Sequence, residues 1–200
     1  MQNRLQKILV EALAKFPGST MKTVAKSPFN SLQQLKHGLG EDDTYWFLHE
    51  DRCDGHVVAV VPFRQVDGED LDYEYLLLPQ VTQCWTLENP VYSSFTGGVD
   101  AGEDPVTAAV REFGEESGYQ ASIEKFIPLG TCYASKSSST LYHLFSVDLT
   151  NKEPAYAFDQ AEVDEGITRP PEWLPVPTVA EDAIVYVIAW RLMQMLYLDV

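Results

Sequence analysis

A chain of 200 residues, 45 % of them hydrophobic, suits one domain with an elaborated terminus and carries enough apolar side chains for a real core. Its net charge of −16 is concentrated, with six basic and five acidic side chains in residues 1–50 against eight and 25 in the remainder. Affinity for nucleic acid rests on neutralising phosphates with Lys and Arg, so this balance argues against a nucleic-acid partner.

The amino terminus places Leu5, Ile8, Leu9, Ala12, Leu13 and Phe16 at helical spacing, with Lys7, Glu11 and Lys15 off that stripe, and Pro17-Gly18 ends the pattern. Such a helix can cover a sheet, pack on a partner subunit or lie on a membrane. Its near-balanced charge favours the packing roles. It lacks the continuous apolar run of a signal peptide or a membrane span, so no membrane association is expected. Residues 26–43 read as a loop with a short helix around Leu32 to Lys36.

From Tyr45 the pattern turns to strand. Tyr45 to Glu50, His56 to Gln65 and Tyr73 to Pro79 are rich in Val, Tyr, Phe and Leu, and the turns Cys53-Asp54-Gly55 and Asp67-Gly68-Glu69-Asp70 separate them. Gln83 to Thr86 reads as a further short strand. Beyond residue 119, Ile123 to Tyr133 and Thr140 to Asp148 read as two more, joined by the Ser-rich loop from Ser135 to Ser139. Residues 151–177 hold five prolines and an acidic run, and Thr178 and Glu181 have capping-box spacing after Pro177. The helix beyond them, to about Tyr197, is apolar nearly all round, which implies burial on more than one side, in the core or at a dimer interface. The expected organisation is a helical extension over 1–44 and one domain over 45–200, with a terminal helix over 178–197. Cys53, Cys84 and Cys132 are few, odd in number and widely spaced, which suggests a reducing, cytoplasmic setting without structural zinc.

Residues 97–119 carry the chemistry: GGVDAGEDPVTAAVREFGEESGY. Asp104 is a natural N-cap, Pro105 suits the first helical position and Gly118 suits the left-handed residue that ends a helix, so a helix is expected from Pro105 to Ser117. Glu112, Glu115 and Glu116 are then related by three and four residues and share one face. Like charges at that spacing repel unless a cation neutralises them, and a hard divalent ion with oxygen ligands is the natural candidate. Arg111 can reach Glu115 one turn on or turn back to Glu103. The pair Gly97-Gly98, with Gly102, lets backbone approach a metal or a phosphate closely.

At this point the chain resembles the Nudix hydrolase family. The family's box consists of Gly, five residues, Glu, seven residues, Arg-Glu, an apolar residue, any residue, Glu-Glu, any residue, Gly and an apolar residue. Gly97, Glu103, Arg111, Glu112, Glu115, Glu116 and Gly118 fill its seven fixed positions, while aromatic Phe113 and Tyr119 stand where the family usually has aliphatics. The resemblance implies an α+β fold, the Nudix α/β/α sandwich with a mixed sheet, framed here by extra N- and C-terminal helices. It implies Glu112 and Glu116 as metal ligands, Glu115 as a further ligand or metal-linked base, Arg111 as the orienting residue and Glu103 as its partner in the loop. It also implies Mg²⁺, with Mn²⁺ as substitute, and hydrolysis of a nucleoside diphosphate linked to another group.

Residues 57–81 and 129–150 are similar to the stretches flanking the box in ADP-ribose and nucleoside-diphosphate-sugar pyrophosphatases. The proline that ADP-ribose members often carry about 16 residues past the box is replaced by Ser135, and the chain lacks the NADH-type signature. In that subgroup a glutamate from a late loop is thought to help activate water, a role open to Glu162 or Glu165 within the acidic run Asp159, Glu162, Asp164, Glu165. Trp46, Trp85, Tyr133 and Tyr142 are candidates for stacking on a base, although aromatic side chains more often serve the core. His143, Lys136 and Arg64 are candidates for phosphate contact, with ordinary strand or surface roles as the commoner alternative. The expected activity is Mg²⁺-dependent cleavage of ADP-ribose to AMP and ribose 5-phosphate. The alternatives are another Nudix substrate (GDP-mannose, a dinucleotide or a nucleoside triphosphate), a nucleotide-sensing module that binds without cutting, and a structural subunit assembled through its terminal helices, with a homodimer in view.

Overall fold

The computed structural model describes residues 3–40, 43–66, 73–80, 91–155, 169–175 and 182–198. The chain divides into two compact units, residues 1–57 with 132–142, and residues 58–131 with 143–200.

The first unit begins with helix α1 (Arg4–Lys15), whose N-cap Asn3 exchanges the two bonds of a capping box with Gln6, the third helical residue. Strands β1 (Thr20–Lys26), β2 (Asn30–Lys36) and β3 (Thr44–Glu50) come next as an antiparallel sheet in that order. The short helix expected around Leu32 to Lys36 is therefore a strand. Leu32 and Leu35 are spaced as on a helix, but the buried positions are Ser31, Gln33 and Leu35, alternating along β2. Gln33 Nε2 donates to Ser31 Oγ (2.7 Å) and Thr23 Oγ1 (3.0 Å), which is what allows polar residues on the buried face. The described residues up to 44 are accordingly one helix and a hairpin whose second strand pairs with β3. Of the roles open to α1, it takes the sheet: Leu5, Ile8 and Leu9 pack on a cluster of Ala12, Leu35 and Phe47.

Residues 137–139 close this unit. Leu48 N–H donates to the Ser137 carbonyl and Ser139 N–H to the Leu48 carbonyl, each at 2.9 Å. His49, 2 % exposed, lies 2.8 Å by Nδ1 from Ser139 Oγ and 3.5 Å by Nε2 from Asp54 Oδ1. Arg4 joins the same group, its N–H bonded to Asp54 Oδ2 (2.8 Å) and its Nε to the Ser139 carbonyl (2.6 Å).

The second unit holds the larger core. Strand β4 (His56–Val60) leads into Val61 and Pro62, and β5 (Phe63–Gln65) resumes in a different sheet, so the single strand expected over 56–65 is two. Pro62 has no N–H to donate to a ladder, and the break falls there. Strand β6 (Tyr73–Gln80) pairs antiparallel with β5, with β7 (Val91–Ser93) and with β11 (Glu172–Leu174). The other sheet runs β8 (Phe95–Gly98), β4, β10 (Leu141–Val147), β9 (Phe126–Tyr133). Helix α2 spans Pro105–Ser117 and α3 spans Ala183–Leu198. Phe113 of α2 is 1 % exposed and meets Phe95 and Phe126 edge-on at 5.5 and 5.8 Å, so the aromatic residue inside the box is a core anchor. On α3, Val185, Ile188, Ala189 and Leu192 are buried, whereas Tyr186, Trp190, Met193 and Tyr197 are exposed. The burial on several sides expected of that helix is confined to one face of the single chain. Among the described residues no helix is long and apolar enough to cross a membrane. The turn over 67–70, the short strand at 83–86 and the capping box Thr178–Glu181 lie outside the described residues.

Burial lowers the pKa of His49 below its usual 6.5 against the opposing pull of Asp51 and Asp54. The unfolded chain then binds more protons once pH falls below about 6.5, and stability must fall with it. Calorimetry from about pH 7.5 to about pH 5.5 should show a declining melting temperature, with a smaller decline in His49→Gln.

Candidate active site

The site is built on α2 and on strand β8 beside it. Asp104 caps the helix by accepting from Val106 N–H (3.0 Å), Pro105 opens it and Gly118 closes it at φ 74°. These local signals place all four box residues from 111 to 116 in one rigid helix.

Arg111 is the hub. Its Nε and Nη2 both donate to Glu103, at 3.3 and 3.1 Å, and Nη2 also donates to the Gly98 carbonyl at 3.1 Å. Nη1 donates to Glu112 Oε1 at 2.6 Å and stands 3.7 Å from Glu115 Oε2. The two pairings open in the sequence are thus both present, with Glu103 bidentate and Glu115 loose. A planar fork makes this possible where an ammonium would not. Hydrogen bonds from Arg111 hold the Glu103 carboxyl below its usual range, and Glu103 in turn raises the Arg111 guanidinium above its own. Asp100 N–H donates to Glu103 as well, at 3.1 Å, so the loop between β8 and α2 is fastened at both ends.

The three glutamates of the helix face differ. Glu116 is 6 % exposed, and its Oε2 accepts from Thr96 N–H of β8 at 3.3 Å. Glu112 is mostly covered and lies directly against Gly97, where an added Cβ would fall on its carboxylate. Glu115 stands at the rim with 58 % of its side chain exposed. Among the described residues no three Asp, Glu, His or Cys side chains converge closely enough to enclose a cation. Here Arg111 draws Glu112 and Glu115 to itself, while Glu116 turns towards β8. The donor set is nonetheless all oxygen on one helix face, and Gly97 leaves the space a hard cation's carboxylate ligand requires, so the residues suit Mg²⁺ or Mn²⁺. Beside them lies a cavity of about 580 Å³ bordered by Arg111, Gly114, Glu115, Tyr119, Gln120 and Ser122.

Gly97, Gly98, Glu103, Arg111, Glu112, Glu115 and Glu116 therefore share one place. Glu162 and Glu165, with Asp159, Asp164 and Trp85, lie outside the described residues. Trp46 and Tyr133 belong to the first unit and are exposed, with Arg4 over the Tyr133 ring at 5.4 Å. The Lys136 carbonyl, also in the first unit, accepts from the Tyr45 hydroxyl. Tyr142 and His143 are half-buried in β10. Arg64 is committed to Glu74 and sits over the Trp173 ring at 4.3 Å. Residues that the sequence did not flag are Thr96, whose N–H holds Glu116, and Ser94 with Asp182, bonded at 3.2 Å across 88 positions of chain. No short-range pattern announces a contact of that separation.

The α+β fold thus sets a glutamate-bearing helix face against a glycine-bearing strand. The NUDIX domain family matches residues 54–191, well over half of the chain, and the protein belongs to that family. A solved structure described as ADP compounds hydrolase has a TM-score of 0.56 and 17 % identity, covering 90 % of this chain and 92 % of its own. A C. elegans Ap4A hydrolase in binary complex has a TM-score of 0.49 and 17 % identity over 72 % and 98 % of the two chains. The first of these likenesses shows the fold. No curated protein sequence matches the chain.

Replacing Gly97 tests the close approach. Gly97→Ala displaces the far end of a flexible side chain, so the melting temperature should change little. Mn²⁺ affinity, read by electron paramagnetic resonance, should fall about 10- to 100-fold, the range seen when a metal ligand's supports are lost.

Proposed function

We propose that this Nudix hydrolase cleaves the pyrophosphate of a nucleoside diphosphate sugar, with ADP-ribose giving AMP and ribose 5-phosphate as the preferred reaction. The observation that carries the proposal is the Arg111 hub: one guanidinium orients Glu103 and Glu112, with Glu115 within 3.7 Å, beside a strand whose glycine admits the carboxylate. Glu112, Glu115 and Glu116 are the residues that would hold Mg²⁺. When bound, the ion supplies charge neutralisation of the pyrophosphate and a more acidic water. The chain's own contribution is orientation: the fork of Arg111 sets the Glu112 carboxylate, and Thr96 N–H sets that of Glu116. Glu115 is the most exposed of the three and is proposed as the group within reach of the attacking water, alongside Glu162 or Glu165.

Substrate choice rests on the stretches flanking the box, which are similar to ADP-ribose and nucleoside-diphosphate-sugar pyrophosphatases. ADP compounds are what the solved structure of like fold is described as hydrolysing. The cavity beside Arg111 and Glu115 has the size of a small-molecule site and is bordered also by the polar side chains of Gln120 and Ser122, where the part of the substrate remote from the scissile bond can rest. A cytoplasmic enzyme acting without nucleic acid or membrane is consistent with the acidic surface and sparse cysteines, and a homodimer through α3 is the proposed assembly.

Glu116→Gln should lower kcat at least about 100-fold, the upper end of what lost metal supports cost, with little change in melting temperature. Wild-type turnover in that variant would remove Glu116 from the site. With Mg²⁺ present, chromatography should show AMP released from ADP-ribose faster than GMP from GDP-mannose, and the reverse order would overturn the substrate choice.

A further inference from the structure

Helix α3 contributes no residue to the box, yet Asp182 just before it and Arg191 within it bond to the two edges of the sheet that carries the site. Asp182 stands immediately before Ala183, the first residue of the helix, and its Oδ1 accepts from Ile184 N–H at 2.8 Å, as an N-cap does. Its Oδ2 accepts from Ser94, from the hydroxyl at 3.2 Å and from the N–H at 3.4 Å. Ser94 is 1 % exposed and is the residue directly before β8. Nine residues later Arg191 Nη1 donates to the carbonyls of Leu129 (2.8 Å) and Thr131 (3.1 Å) in β9. Strands β8 and β9 are the two ends of the sheet β8-β4-β10-β9. Nine helical residues advance about 13.5 Å, and three strand spacings come to about 14 Å. One helix therefore reaches from edge to edge with a polar clasp at each.

The clasp at β8 matters because Ser94 leads directly into the strand residues that meet the glutamates. Two residues on, Thr96 N–H holds Glu116, and three residues on, Gly97 receives Glu112. Ser94 is the single residue between β7, which ends at Ser93 in its ladder with β6, and β8, so its fastening bears on where one strand passes into the other. We infer that Asp182 is a positioning residue: by fixing Ser94 to the N-terminus of α3 it sets the register of β8 against α2, and with it the placement of Glu116 and Glu112. The inference rests on the proposed role of those two carboxylates, but its first readout does not.

The test uses the full chain. Amide hydrogen exchange of Thr96 and Gly97 is measured in the metal-free protein for wild type, Asp182→Ala, Asp182→Asn and Ser94→Ala, with Ile188→Val as a control that loosens the same helix without touching the clasp. Mn²⁺ affinity is then measured by electron paramagnetic resonance. Asp182→Ala should speed exchange at Thr96 at least about tenfold and weaken Mn²⁺ binding about tenfold, the lower end of the effect of lost outer supports. Asp182→Asn has one carbonyl oxygen to divide between Ile184 N–H and Ser94, so it should recover both only in part. Ser94→Ala leaves the helix cap intact and should reproduce a smaller version of the Asp182→Ala effect, which keeps the test open if Asp182→Ala fails to fold. Unchanged exchange at Thr96 in Ser94→Ala and Asp182→Ala, or an equal change in Ile188→Val, would reduce Asp182 to an ordinary helix cap and overturn the inference. Faster exchange in the clasp variants of a protein that binds no Mn²⁺ would leave the clasp standing and remove the metal role of the glutamates.

Discussion

The guanidinium of Arg111 is the interaction on which the site depends. Four glutamates crowd the loop and helix between Glu103 and Glu116, in a chain already carrying sixteen excess negative charges. A single planar cation offsets the repulsion at two of them by bonding Glu103 twice and Glu112 once, and it holds the Gly98 carbonyl as well, while Thr96 N–H holds Glu116. The arrangement specifies geometry more than it stabilises the fold. A fork of fixed shape can satisfy two carboxylates and a carbonyl simultaneously only if loop, strand and helix meet at one spacing. Hydrophobic packing supplies the complementary constraint from below, where Phe113 wedges between Phe95 and Phe126 and fixes α2 over β8.

The two sides of α2 thus perform different work from one short sequence. Positions 108, 109, 113, 116 and 117 face inward and position 115 faces out, so the boundary between core and chemistry runs along the helix itself. Glu116 straddles that boundary. A carboxylate at 6 % exposure needs hydrogen bonds, and the Thr96 amide provides one without involving a second side chain. Gly97 completes the arrangement by having nothing to offer at the point where any side chain would be in the way.

Local signals account for what could be read in advance. The α2 helix, its Asp104 cap and its Gly118 terminator are encoded within 15 residues, and the charge pairing of Arg111 was legible as two alternatives because both partners lie within eight residues. The strands rich in Val and Leu, β4 and β6, declared themselves by composition. Strand β2 did not, because its buried face is made of Ser31 and Gln33, whose burial depends on hydrogen bonds that no hydrophobic pattern displays. The halving of residues 56–65 was signalled by Pro62 but masked by the apolar residues around it. Ser94 and Asp182 were illegible for a different reason: each is unremarkable where it stands, and the carboxylate acquires meaning only when the fold brings the start of α3 to the start of β8.

The composition of the first unit has a consequence for how the protein is made. Residues 1–57 are completed by residues 132–142, which contribute the Ser137–Ser139 segment alongside β3 and the hydroxyl beside His49. A nascent chain usually folds its leading segment as it emerges from the ribosome. Here residues 1–57 keep part of their polar interior unmatched until residues 132–142 have emerged, so the hairpin of β1 and β2 is a stretch in need of protection during synthesis.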